Sequence, residues 1–187
     1  MLTRRFFLTA SLMAASAIAV PAFAASAAEA YVSNVGNSVL AAARSNSVAK
    51  FRQLLRANAD IPAIALFSLG AYRKNLTKAA QNEYFKLVEG YIANVFTTHA
   101  AQMAGEKLEV VGSQATGDSV LVKSKVTFSD GRTVPVTWRI TKRGGGYKIF
   151  DVNVDGIWLA TTQKTNFVTV LKKNKGDINA LLAYLRA

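Results

Sequence analysis

Residues 119–140 read SVLVKSKVTFSDGRTVPVTWRI, and the period of that stretch decides the fold class. Val120, Val122, Val126 and Phe128 share one face while Lys123 and Lys125 share the other, the two-residue repeat of a half-buried strand. Asp130-Gly131 is hairpin-turn chemistry, and Val134, Val136, Trp138 and Ile140 then alternate with Pro135, Thr137 and Arg139 on the returning strand. Gly144-Gly145-Gly146 turns the chain into a strand from Tyr147 to Val154, and Leu108 to Ser113 supplies one more strand ahead of Gly117. The predicted sheet is a four-stranded antiparallel meander. Pro135 has no N–H to donate, which predicts a sheet edge or a bulge at that position.

On both sides of the sheet the period lengthens to that of a helix. Tyr31, Val32, Val35, Val39, Leu40 and Ala43 recur at helical spacing, and Ser47 reads as an N-cap for a helix carrying Val48, Phe51, Leu54 and Leu55. Asp60-Ile61-Pro62 breaks that run, and Ile64, Phe67, Leu69 and Gly70 follow as a short helix with a glycine stop. From Ala79 to Met103 the stripe Phe85, Val88, Ile92, Phe96 and His99 predicts one long amphipathic helix. After Gly156 helices return through Leu159, Phe167, Val170 and Leu171, then through Ile178, Leu181, Leu182 and Leu185. Helices, an antiparallel sheet and helices again make an α+β domain, and a curved sheet wrapped around helices tends to enclose a cavity.

Composition limits the chemistry. The 187 residues are 51% hydrophobic and 18% charged, which suits one packed domain and excludes a disordered chain. A formal charge of +12 favours an anionic partner, nucleic acid or a lipid surface. The absence of cysteine excludes disulfides, thiolate nucleophiles and Cys-based metal sites, and a single histidine excludes a multi-His metal centre. Residues 1–24 carry Arg4-Arg5, an apolar run from Phe6 to Val20 and an Ala22-Phe23-Ala24 cleavage site, so they read as an export signal. Thr3-Arg4-Arg5-Phe6-Phe7-Leu8 resembles the twin-arginine consensus, and an ordinary Sec signal is the alternative. The remaining chain, 25–187, is expected to be one domain outside the cytoplasm, which weakens nucleic acid as the partner and favours lipid.

Candidate catalytic groups are few. His99 sits on the core-facing stripe with no carboxylate three or four residues away, so it is expected to pack or to line a pocket. Asp151 and Asp155 are four apart on a strand end. Asp155-Gly156 is turn chemistry, and Asp151 is expected to bond backbone or a nearby cation, so neither is read as a general acid or base. The glycine run 144–146 lacks the Lys-Ser/Thr of a phosphate loop. The aromatics are spread over every element rather than arrayed as a nucleic-acid stacking platform, and they read as core or as pocket wall. Lysines 123, 125, 142, 172, 173 and 175, with Arg143, are ordinary solvated charges that together can support transient contact with anionic lipid. No enzyme activity, cofactor or metal is expected.

Two stretches carry a family resemblance. Asp60-Ile61-Pro62-Ala63-Ile64-Ala65-Leu66-Phe67-Ser68-Leu69-Gly70-Ala71-Tyr72 and Lys148-Ile149-Phe150-Asp151-Val152-Asn153-Val154-Asp155-Gly156, with Phe85 and Phe167 in order, resemble the MlaC or toluene-tolerance (Ttg2-type) family over nearly the whole exported chain. The resemblance implies an NTF2-like α+β body and a monomeric periplasmic carrier that encloses phospholipid acyl tails. It also implies transfer of lipid between an outer-membrane lipoprotein complex and an inner-membrane ABC transporter bearing an MCE-type ring. Departures from the family pattern fall at Trp158, Lys164, His99 and Tyr72-Arg73-Lys74, and they bear on ligand identity, with hopanoid or another polycyclic lipid as the alternative cargo. The expected pocket wall is Phe67, Leu69, Tyr72, Phe85, Val88, Ile92, Phe96, Val122, Val126, Trp138, Ile140, Val154, Ile157 and Trp158. The rival classes are a hydrolase or isomerase on the same body and an exported interaction module with a solid core.

Overall fold

The computed structural model describes residues 22–187, with side chains from residue 27 onward except 102 and 103. The expected export signal lies outside these, save for the backbone of its last three residues. Helix α1 (Ala22–Arg44) leads to α2 (Val48–Asn58), α3 (Ile61–Ser68), a 3-10 segment (Gly70–Asn75), α4 (Lys78–Thr98) and α5 (Ala100–Met103). The sheet follows as β1 (Lys107–Thr116), β2 (Ser119–Thr127), β3 (Thr133–Arg143), β4 (Gly146–Val154) and β5 (Ile157–Trp158), and α6 (Leu159–Lys173) and α7 (Ile178–Arg186) close the chain. The helix starts obey local chemistry. Ser47 accepts from the Lys50 N–H, Asp60 from the Ala63 N–H and Thr77 from the Ala80 N–H, each satisfying a first-turn donor that has no partner inside its helix.

The sheet is an antiparallel meander in the order β1-β2-β3-β4-β5, with β1 and β5 at its edges. It has five strands rather than four, because Asp155-Gly156 (φ 49° and 87°) makes a two-residue turn of the primed type and folds Ile157-Trp158 back onto β4. Pro135 is neither at an edge nor at a bulge: it pairs with Lys125 in the central strand β3. Its carbonyl accepts from the Asp155 N–H at 3.1 Å, so its polar side faces β4 where that strand is already turning, and the missing N–H breaks no ladder bond. The expected single helix 79–103 is two. His99 takes a non-helical conformation between α4 and α5, where the Thr97 and Thr98 hydroxyls bond back to carbonyls of the last turn.

Three apolar clusters hold the domain. One packs α1 (Ala28, Val32, Leu40) on the inner sheet face (Val122, Val126, Val136, Trp138, Ile140). A second joins α3, α4, α6 and α7 through Leu69, Tyr84, Val88, Phe167 and Leu181. The third ties α1, α2 and α4, with the Phe51 and Phe96 rings stacked at 3.5 Å. Helix α1 seats closely on β1 at Gly36, where a Cβ would meet a Leu108 methyl at 2.5 Å and the leucine would have to shift.

Candidate lipid-binding site

Where the inner sheet face meets α1, α2, α4 and α6 the three clusters leave a gap of about 530 Å³. Its walls are apolar: Leu40 on α1, Phe51, Leu54 and Leu55 on α2, Ile92 and Phe96 on α4, and Val126, Val136, Trp138 and Val152 on the sheet. Polar groups in the wall are tied to other partners. Asn58 donates to the Leu54 carbonyl, Gln163 donates to the buried Ser68 hydroxyl, and the Trp138 indole N–H donates to Ser124 Oγ at 3.0 Å. Exposed Val95 and Leu159 stand at the rim with Arg132, Asp155, Thr162 and Asn166.

Strand β4 shapes the cavity through a bulge. Its register slips between Arg139↔Asp151 and Ile140↔Ile149, so Phe150 is left without a partner on β3. The inward set changes parity there, from Val152 and Val154 to Ile149 and Tyr147, and all four pack on the core. Phe150 packs edge-on against Phe67 of α3 at 5.4 Å. Asp151, 4% exposed, accepts from the Val152 N–H and the Ala160 N–H, both at 2.8 Å, and so caps α6 from a distant strand, since the residue at the cap position, Trp158, makes no side-chain cap. Burial raises the Asp151 pKa, while the two backbone donors and Arg139 oppose the shift.

The structure distributes the sequence-predicted wall residues unevenly. Ile92, Phe96, Val126, Trp138 and Val154 stand together on the cavity. Phe67 belongs to a neighbouring cleft. Leu69 and Val88 are buried in the helical core with Tyr72 and Phe85 packed on it, and Val122 and Ile140 are buried under α1. Ile157 is 59% exposed on β5, and Trp158 lies under the Arg139 guanidinium at 4.4 Å. Val88 falls outside because α4 turns that part of its stripe to Phe167 and Leu181, whereas Ile92 and Phe96 face α2. Sequence reasoning missed Leu40, Phe51, Leu54, Leu55, Val136, Ile149 and Val152 among the wall residues. All of them carried an apolar-face signal, but nothing in a single sequence says which apolar face is left partly unfilled.

The structure gives His99, Asp151 and Asp155 each a definite place. His99 is exposed at the end of α4 rather than on its core face, because the helix stops there. Asp155 is a turn residue and Asp151 is a cap. Among the described residues no three His, Cys, Asp or Glu side chains stand close enough to hold a metal ion, and no described helix is long and apolar enough to cross a membrane.

Comparison with known proteins agrees with this architecture. The structure of a phospholipid-binding protein from Ralstonia solanacearum, solved in complex with a phospholipid, superposes with a TM-score of 0.72 over 85% of this chain and 94% of that one, at 24% sequence identity. That likeness shows the fold. A family model described as MlaC protein matches residues 27–187, which take in every element described above except the first turns of α1, and the chain therefore belongs to the MlaC family.

Proposed function

We propose that this chain is a periplasmic carrier that holds a phospholipid by its acyl tails in the cavity between the sheet and α1, α2, α4 and α6. It would pass that lipid between an outer-membrane lipoprotein complex and an inner-membrane ABC transporter with an MCE-type ring. The observation that carries the reading is the apolar cavity of about 530 Å³ left between the packed clusters of the sheet and the helices. Its size lies within the range of sites that bury small ligands. Burying a methylene is worth ~0.8 kcal/mol, so a tail of about fifteen gains on the order of 12 kcal/mol, enough to draw a lipid tail out of water. Family membership and the phospholipid held by the Ralstonia neighbour support the same reading.

The test is native mass spectrometry of the purified exported chain, followed by organic extraction of whatever it carries. A stoichiometric phospholipid is expected. A hopanoid or other polycyclic mass would reassign the cargo, and bare protein that takes nothing from vesicles would make the chain an interaction module. Leu54→Trp fills the cavity from α2 and is expected to reduce lipid per protein with the fold intact by circular dichroism.

A further inference from the structure

A second concavity, of about 710 Å³, lies between α3, the 3-10 segment and the end of the sheet where β3 turns into β4. Backbone closes it off from the lipid cavity: Ala59 bridges Ile149, and the Asp60 N–H donates to the Ile149 carbonyl at 2.9 Å. The cleft is therefore a surface separate from the cargo site.

Its floor is apolar and reachable. Pro62 is exposed, Leu66, Phe67 and Phe150 are half-buried, and the Phe67 and Phe150 rings meet edge to face at 5.4 Å. Its rim is cationic. Arg73 on the 3-10 segment, Arg143 at the end of β3 and Lys148 on β4 line it, and Lys164 of α6 holds its Nζ 4.8 Å from the centre of the Phe67 ring. The Lys164 stem passes over Gly70, where a Cβ would meet its Cε at 3.2 Å. Asp60 is the carboxylate among the lining residues, and it is already engaged. Its Oδ1 accepts from the Ala63 N–H and its Oδ2 from Arg143 Nε at 3.0 Å, which leaves the outer edge of that guanidinium open to another oxyanion. Among the described residues Arg73, Lys148 and Lys164 form no ion pair. Four cations against one carboxylate leave uncompensated positive charge around an aromatic floor.

A bare oxyanion would satisfy the cations and leave that floor in water, and a flat bilayer would meet the rim but not the floor. A peptide supplies both chemistries at adjacent positions, carboxylates for the guanidinium and ammonium groups and an apolar side chain for the rings. We propose that this cleft docks an acidic segment of a partner protein, with its carboxylates on Arg73, Arg143 and Lys148 and an apolar side chain set against Phe67 and Phe150. The docking does not depend on the carrier reading, because the bridged wall lets partner and cargo hold their sites at the same time.

Random dodecapeptides displayed on phage and selected on the intact exported chain test it. The selected pool is expected to be rich in Asp and Glu beside an aromatic or aliphatic residue, and a synthetic peptide of its consensus to bind the chain in fluorescence anisotropy. The double variant Arg73→Gln, Arg143→Gln is expected to weaken that binding about tenfold, the size expected for charge-assisted hydrogen bonds. Lys148→Gln alone serves if the double variant does not fold. Lys123→Gln with Lys125→Gln, on the outer sheet face, is expected to leave the affinity unchanged. A pool without acidic enrichment, or equal affinity in the cleft variants, overturns the proposal, and equal weakening by the Lys123 and Lys125 substitutions overturns it in favour of diffuse charge. Vesicles of dioleoylphosphatidylglycerol that bind the wild type and not the double variant would make the cleft a membrane contact instead. Phospholipid extracted per protein is expected to be the same with and without saturating peptide, and peptide that expels lipid would overturn the separation of the two sites. A chain that binds the peptide and carries no lipid leaves the docking standing while the carrier reading fails.

Discussion

Asp151 shows how much one buried side chain carries. Its Oδ1 serves two backbone donors, one of them the buried Ala160 N–H at the start of α6. Asp151→Ala is expected to cost about 1–3 kcal/mol in denaturant unfolding, the penalty of unsatisfied buried donors, whereas Asp151→Asn keeps an acceptor and costs less. The two carboxamide and carboxyl forms also separate with pH. Burial holds the folded-state pKa above the ordinary carboxylate value, so the native state keeps its proton where the unfolded chain has lost it, and stability falls as pH rises through that interval. The stability of wild type relative to Asp151→Asn is therefore expected to decline as pH rises from about 4 toward the raised pKa, and a flat difference would contradict it. A backbone or cationic partner for Asp151 was legible from strand context. Which backbone was not, because the Ala160 amide lies nine residues on and meets the carboxylate only after β5 has folded back.

Caps and turns are the most legible elements in this chain. Asp60-Ile61-Pro62 reads as a break ahead of a short helix, and the structure makes it the start of that helix, with Asp60 as the cap and proline in the first turn, where its missing N–H is harmless. Asp60→Ala is expected to destabilise by ~0.5–2 kcal/mol through the lost cap, with little added by the pair to Arg143, whose side chain is 62% exposed. Gly156 is likewise predictable: its φ of 87° suits glycine, and a Cβ there meets no atom within 4 Å, so Gly156→Ala is a pure backbone penalty of about 1–2 kcal/mol. Thermal unfolding of both variants checks these values. The β4 bulge was illegible. Tyr147 to Val154 reads as an unbroken strand, and the slip at Phe150 exists because Asp151 is drawn to α6 and the Phe150 ring to Phe67, neither of which is local. The break in α4 at His99 escaped for the opposite reason, since the apolar stripe continues across it and masks the threonines that end the helix.

The whole molecule can be followed by its own fluorescence. Of the two tryptophans, Trp138 lines the cavity and Trp158 lies outside it under Arg139. In Trp158→Phe the remaining indole is expected to be quenched on incubation with vesicles of brominated-chain phospholipid, and not with unbrominated vesicles. Equal emission in both would place the tail elsewhere. By itself the sequence determined the α+β class, the sheet order, most helix boundaries and the family, because period, caps and turn residues act within a few positions of the chain. Tertiary structure alone decided which apolar faces close on one another and which leave a cavity. Val88 and Ile92 lie on one stripe of α4, four residues apart, yet one is core and the other wall, since packing depends on what arrives opposite each face and not on the face alone.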